Sequence, residues 1–155
     1  MIRRILIISF VILVLFSNSI QSGDSRYNIE PSVINSNIAS HSKVSRTIKL
    51  TQVDNMFLPA EITLLEGETI KFVIKNAGNR KHEMLVGSMA KLKKYAKKRR
   101  MFPEMNQSEP DLIQLEPGEK KELVLQFTNA GTVFFACPLP GHFKKMRGKI
   151  FVEKK

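Results

Sequence analysis

The sequence predicts an all-β sandwich or barrel of about eight short strands, with one helix inserted between them. Three observations predict it. Apolar and polar residues alternate in short runs, the signature of half-buried strands. Gly- and Pro-containing turns separate those runs at regular spacing. One segment, 88–102, departs from alternation and carries apolar residues near helical spacing among a run of cations. At 155 residues, 43% apolar and 25% charged, the chain has the size and composition of a single globular domain.

The elements follow in order. Met1 to Arg4 carry two arginines, and Ile5 to Phe16 is apolar apart from Ser9. A short basic start, an apolar run and small polar residues after it predict a secretory signal over 1–22, with Ser17 and Ser19, or as second choice Ile20 and Ser22, at the −3 and −1 positions of the cleavage site. The run is short for a membrane span, which needs roughly 20 residues. The chain is therefore expected to work in the periplasm or elsewhere outside the cytoplasm. Membrane contact would come only from an uncleaved N-terminus or from lipid heads. Ser and Asn dominate 23–46 without a persistent period, which predicts a flexible linker before a domain at 47–155. His41 lies in this linker and receives no role.

Thr47–Val53 alternates, with Ile48 and Leu50 on one face. Glu61–Leu65 follows the break at Pro59. Glu68–Asn76 turns Ile70, Phe72 and Ile74 inward and Lys71 and Lys75 outward. After the turn 76–79, His82–Val86 is a short strand. Leu112–Leu115, Glu122–Thr128, Thr132–Cys137 and Lys149–Glu153 complete the set, punctuated by Pro117-Gly118 and Asn129-Ala130-Gly131. Between them, Ser88–Phe102 places Met89, Leu92 and Ala96 near helical spacing beside Tyr95.

Charge is local. The formal net charge is +11; without Arg3 and Arg4 it is +9, and 88–102 alone supplies +7 with no acidic residue. This segment predicts a basic helix suited to an acidic partner or anionic lipid heads. Nucleic acid is disfavoured, because no aromatic stacking platform accompanies the charge. One cysteine excludes an intrachain disulfide and Cys-rich zinc or iron–sulfur sites. No Gly-rich phosphate loop is present, which disfavours a nucleotide enzyme.

The chemistry concentrates near the C-terminus. Cys137, His142 and Met146 fall within ten positions, and His82 opens a strand upstream. Taken singly, each has a bland reading as core or surface. Together, a thiolate, two imidazoles and a weak thioether match the trigonal His₂Cys copper site with a long axial Met. Soft sulfur ligands stabilise Cu(I), and imidazole suits both oxidation states. Pro138 and Pro140 stiffen the loop by fixing φ, and Gly141 lets it turn. Structural zinc would favour more thiolate or imidazole and has little use for Met.

From Thr47 to Glu153 the chain resembles the cupredoxins, the plastocyanin and azurin family. The stretch Phe57 to Asn76 (FLPAEITLLEGETIKFVIKN) is similar to the family's second and third strands. Cys137-x₄-His142-x₃-Met146, with Pro-Gly before the histidine, is similar to the azurin ligand loop. The resemblance implies a Greek-key sandwich holding one type 1 copper per chain, with His82, Cys137 and His142 equatorial and Met146 axial. Glu83 stands where azurins usually have Asn, and Lys81 where they have Gly. The basic insertion, with Met84, Met89, Met101 and Met105 around it, is closer to exported copper-tolerance cupredoxins. Two functions are expected. One is one-electron transfer, with a partner docking at 88–102 and on the apolar patch of Leu139, Pro140 and Phe143 around His142. The other is copper handling during metal stress. An enzyme is not expected: multicopper oxidases need further His ligands, and only His41, His82 and His142 exist.

Overall fold

The structure, a computed structural model, describes residues 43–105 and 109–155 and the backbone of a strand at 32–33. The expected signal over 1–22 and His41 lie outside the described residues. So does most of 23–46, the expected linker.

Two five-stranded sheets face each other. β1 (Ser32–Val33), β2 (Arg46–Val53), β3 (Met56–Leu58), β5 (Thr69–Asn76) and β8 (Lys120–Gln126) form the first, in the order β1-β8-β5-β2-β3. β4 (Glu61–Leu65), β6 (His82–Gly87), β7 (Leu112–Leu115), β9 (Gly131–Ala136) and β10 (Arg147–Glu153) form the second, in the order β4-β10-β9-β6-β7. Parallel pairs β2–β5 and β4–β10 lie among antiparallel neighbours, so the chain crosses repeatedly between sheets. Ser45 and Arg46, at the end of the expected linker, are already tied in: Ser45 N donates to Thr69 O at 2.8 Å.

The alternation read from sequence becomes the core. Ile70, Phe72 and Ile74 of β5 and Leu125 of β8 face Ile62, Leu64, Val133, Phe135 and Ile150 of the other sheet. Phe57 meets Phe135 edge-on, with centroids 5.1 Å apart, and Phe72 meets Phe127 likewise at 6.3 Å. Each such buried ring contributes about 1.5–3 kcal/mol over an exposed one.

The helix α1 (Met89–Met101) starts at Ser88, whose hydroxyl accepts from Lys91 N at 3.2 Å. It ends with Lys98, Arg99 and Arg100 in the last turn, the favourable sign for a helix C-terminus. Leu92 and Tyr95 pack with Leu85 and Ala136 on the outer face of the second sheet. β6 is therefore covered on both sides. Met84 and Val86 point into the sandwich, and Glu83 and Leu85 point under the helix.

This packing divides the cations of the expected basic helix into buried and exposed ones. Arg99 is 5% exposed and turns inward with Leu92 and Tyr95. Its guanidinium pairs with buried Glu83 and also donates to Pro103 O and Met105 O. Lys91 pairs with buried Asp111. A helix face needs residues at i, i+3 and i+7, and Arg99 completes that stripe, so burial overrode its charge. Lys93, Lys94, Lys97, Lys98 and Arg100 are the helix cations left exposed.

Candidate metal centre

The site lies where the 76–82 turn, the start of β6 and the β9–β10 loop meet. Cys137 follows the last residue of β9, and its backbone N donates to Met146 O at 3.0 Å. Met146 N donates to His142 O at 2.9 Å, and His142 N to Leu139 O at 3.0 Å. These bonds close the loop into a rigid bracket. Gly141 has φ +84°, a left-handed conformation that side chains disfavour, and there the chain turns to bring His142 back.

Three of the four candidate side chains converge. His82, Cys137 and His142 place one ligand atom each within 4.8 Å of one another. Cys137 Sγ lies 3.5 Å from His142 Nδ1 and 4.0 Å from His82 Nδ1. The two rings are 5.0 Å apart between centroids and tilted by 49°. Met146 is fully buried in the same apolar cluster as Cys137.

His82 is clamped by a residue the sequence reading missed. Asp54, in the turn between β2 and β3, sets Oδ1 3.0 Å from His82 Nε2. A carboxylate accepts, so Nε2 carries the ring proton and Nδ1 is left as a lone pair facing the sulfur. The hydrogen bond from His82 holds the Asp54 carboxyl below its ordinary range. Gly78 makes the approach possible: a Cβ there would stand 2.5 Å from Asp54 Oδ1 and 3.1 Å from His82 Nε2. Asn76 staples the same turn. Its amide donates to Arg80 O at 2.8 Å and Leu115 O at 3.1 Å, and its Oδ1 accepts from Gly78 N at 2.9 Å. Twenty-eight positions separate Asp54 from His82, and the only local signal was a turn-forming Asp-Asn pair.

Burial pushes the Cys137 thiol up to about 11, against backbone hydrogen bonds from Glu83 and Leu139 that favour the thiolate. Glu83 N lies 3.5 Å from the sulfur. A metal ion entering here must displace that proton, so uptake strengthens as pH rises. His142 is half-buried, and burial, then the neighbouring His82 and Arg80, lower its pKa below the usual 6.5. Its neutral form is therefore favoured in the fold. The associated stability is present above about pH 6.5 and is lost as pH falls through the lowered value. The neutral His142 imidazole is thus available as a ligand near neutral pH.

The donor set fits copper: two imidazole nitrogens and one sulfur, a buried thioether nearby, and backbone N–H groups aimed at the sulfur. Comparison with known proteins agrees. A family model described as a cupredoxin-like domain matches residues 6–152. The chain belongs to the cupredoxin-like family.

This cupredoxin is 42% identical over 114 residues to the copper-resistant cuproprotein CopI of Rubrivivax gelatinosus, covering 72% of this chain and 69% of that protein. It is 29% identical to the protein of the same name from Pseudomonas aeruginosa, over 97% of this chain and 98% of the relative. Among solved structures, auracyanin A, a "blue" copper protein from Chloroflexus aurantiacus, matches with a TM-score of 0.58 at 22% identity, covering 69% of this chain and 98% of that one. At that identity the likeness is one of fold.

Proposed function

We propose that this cupredoxin holds one copper ion per chain between His82, Cys137 and His142, with Met146 as a weak axial ligand, and works outside the cytoplasm as a one-electron carrier. The observation that carries this reading is the convergence of two Nδ1 atoms on one buried thiol, on a scaffold that fixes them from both sides. When bound, copper supplies a Cu(II)/Cu(I) couple. The chain supplies constancy of geometry: Asp54 holds His82, the loop bonds hold His142, and Pro138 and Pro140 restrict the loop between them. Little then moves when one electron arrives or leaves. His142 is the one imidazole of the site with exposed surface and so marks the electron's route. No step requires a bound substrate, so the reading is non-enzymatic. An acidic redox partner at the basic helix belongs to it.

The name of the relatives favours a second reading, in which the same site serves copper tolerance by binding and retaining the ion. The two differ in whether copper leaves. Loaded protein should keep its copper against a Cu(I) chelator through repeated reduction and reoxidation if it is a carrier. Stoichiometric release to the chelator on reduction would favour copper handling instead.

A further inference from the structure

We infer that the cleft between α1 and the ligand loop is a docking site for an acidic segment of a partner protein that carries an apolar side chain. The inference rests on the reading above and names the surface through which that partner engages. The cleft has a volume of about 420 Å³ and is bounded by α1 on one side and the 138–144 loop on the other. Lys93, Lys97, Arg100 and Lys144 line it, all exposed, and none has a carboxylate partner among the described residues. Pro138, Leu139 and Phe143 give it an apolar floor.

The contrast within one helix makes the case. Of the seven cations over 88–102, Lys91 and Arg99 are consumed by buried Asp111 and Glu83. Lys93, Lys97 and Arg100 are spaced i, i+4 and i+7, which sets them on one face, and that face overlooks the cleft. Lys94 and Lys98 lie outside it. Packing Leu92, Tyr95 and Arg99 against the sheet fixes the rotation of the helix, so the cleft-facing cations are held in place without neutralisation. Four unpaired cations in one concavity repel one another, and an acidic occupant relieves this.

The shape selects the occupant. A flat bilayer meets protruding side chains, whereas this surface is recessed and apolar at its base. An extended chain can lay carboxylates against the two rims and lower an apolar side chain between them. Gly141 lines the cleft and His142 is the next residue, so the occupant comes to rest beside the exposed imidazole.

The test uses the full chain and a synthetic peptide with glutamates flanking a single phenylalanine, followed by amide chemical shifts. The peptide should bind, shift the amides of 93–100 and 138–144, and weaken as salt is raised. Lys93→Gln/Lys97→Gln/Arg100→Gln should lose affinity about tenfold, while Lys94→Gln/Lys98→Gln on the same helix should change it about twofold or less. A peptide with serine in place of phenylalanine should bind more weakly. Equal losses in the two variants would reduce the cleft to net charge and overturn the proposal. So would shifts confined to another face, or phosphatidylglycerol vesicles binding while the peptide does not. Copper loading is titrated separately in the same samples. One copper per chain without peptide binding sinks the docking site alone. Peptide binding that follows the variants, without copper loading, supports the cleft and sinks the copper reading.

Discussion

His82 and His142 both present Nδ1 to Cys137, at 4.0 and 3.5 Å, yet their surroundings differ in every other respect. His82 is fully buried, its far nitrogen held by Asp54, on a strand packed on both faces. Directly after it, Glu83 anchors the inserted helix through Arg99. His142 is half-exposed and is positioned by backbone bonds of its loop rather than by a side-chain clamp. One imidazole is placed by tertiary structure and the other by a local turn. The site thus has a fixed half, which sets geometry, and an accessible half, which meets the outside.

Removing each ring should separate the halves most sharply. His82→Gly and His142→Gly should both abolish the thiolate-to-copper band. Added imidazole should restore it only in His142→Gly, because only that vacancy opens to solvent. Restoration in both would mean the two halves are equally accessible.

Next in size is the support behind the fixed half. Arg99→Ala leaves Glu83 buried without its partner, a change that costs about 3–5 kcal/mol in comparable pairs. Denaturant unfolding should show that loss, and Glu83→Gln combined with Arg99→Met should recover much of it. A loss below about 1 kcal/mol would put the pair at the level of a surface ion pair. Asp54→Ala acts on the clamp itself. Copper affinity should fall about 10- to 100-fold, as for other carboxylates that orient a metal-bound histidine, with the fold intact. Competition against a chelator of known affinity measures it, and unchanged affinity would remove Asp54 from the site.

The smallest effect is expected at Met146. Met146→Leu preserves volume and should change stability by less than about 1.5 kcal/mol. Copper should remain bound while the reduction potential rises, since a weak donor to Cu(II) is lost. A potential that does not move would deny Met146 an axial role.

The same contrast explains what the sequence discloses. The loop half is written locally: Cys137, His142 and Met146 lie within ten residues, and their spacing is itself the signal. Strands such as Glu61–Leu65 and Thr69–Asn76 are legible because alternation is local as well. The fixed half depends on contacts between distant segments. Asp54 reaches His82 only after β2 and the 76–82 turn are docked, and no periodicity reports that. β3 is three residues long, too short to alternate visibly. Arg99 was partly legible, for it shares a helical stripe with Leu92 and Tyr95. Its charge concealed its burial because Glu83, the partner that permits it, lies sixteen positions away on another element.

The most direct test of the copper centre is an anaerobic Cu(II) titration of the full chain and of Cys137→Ser, followed in the visible spectrum. The account predicts an intense thiolate-to-copper band that saturates at one copper per chain and is absent from the serine variant. A colourless wild-type protein, or a band that survives the loss of Cys137, would contradict it.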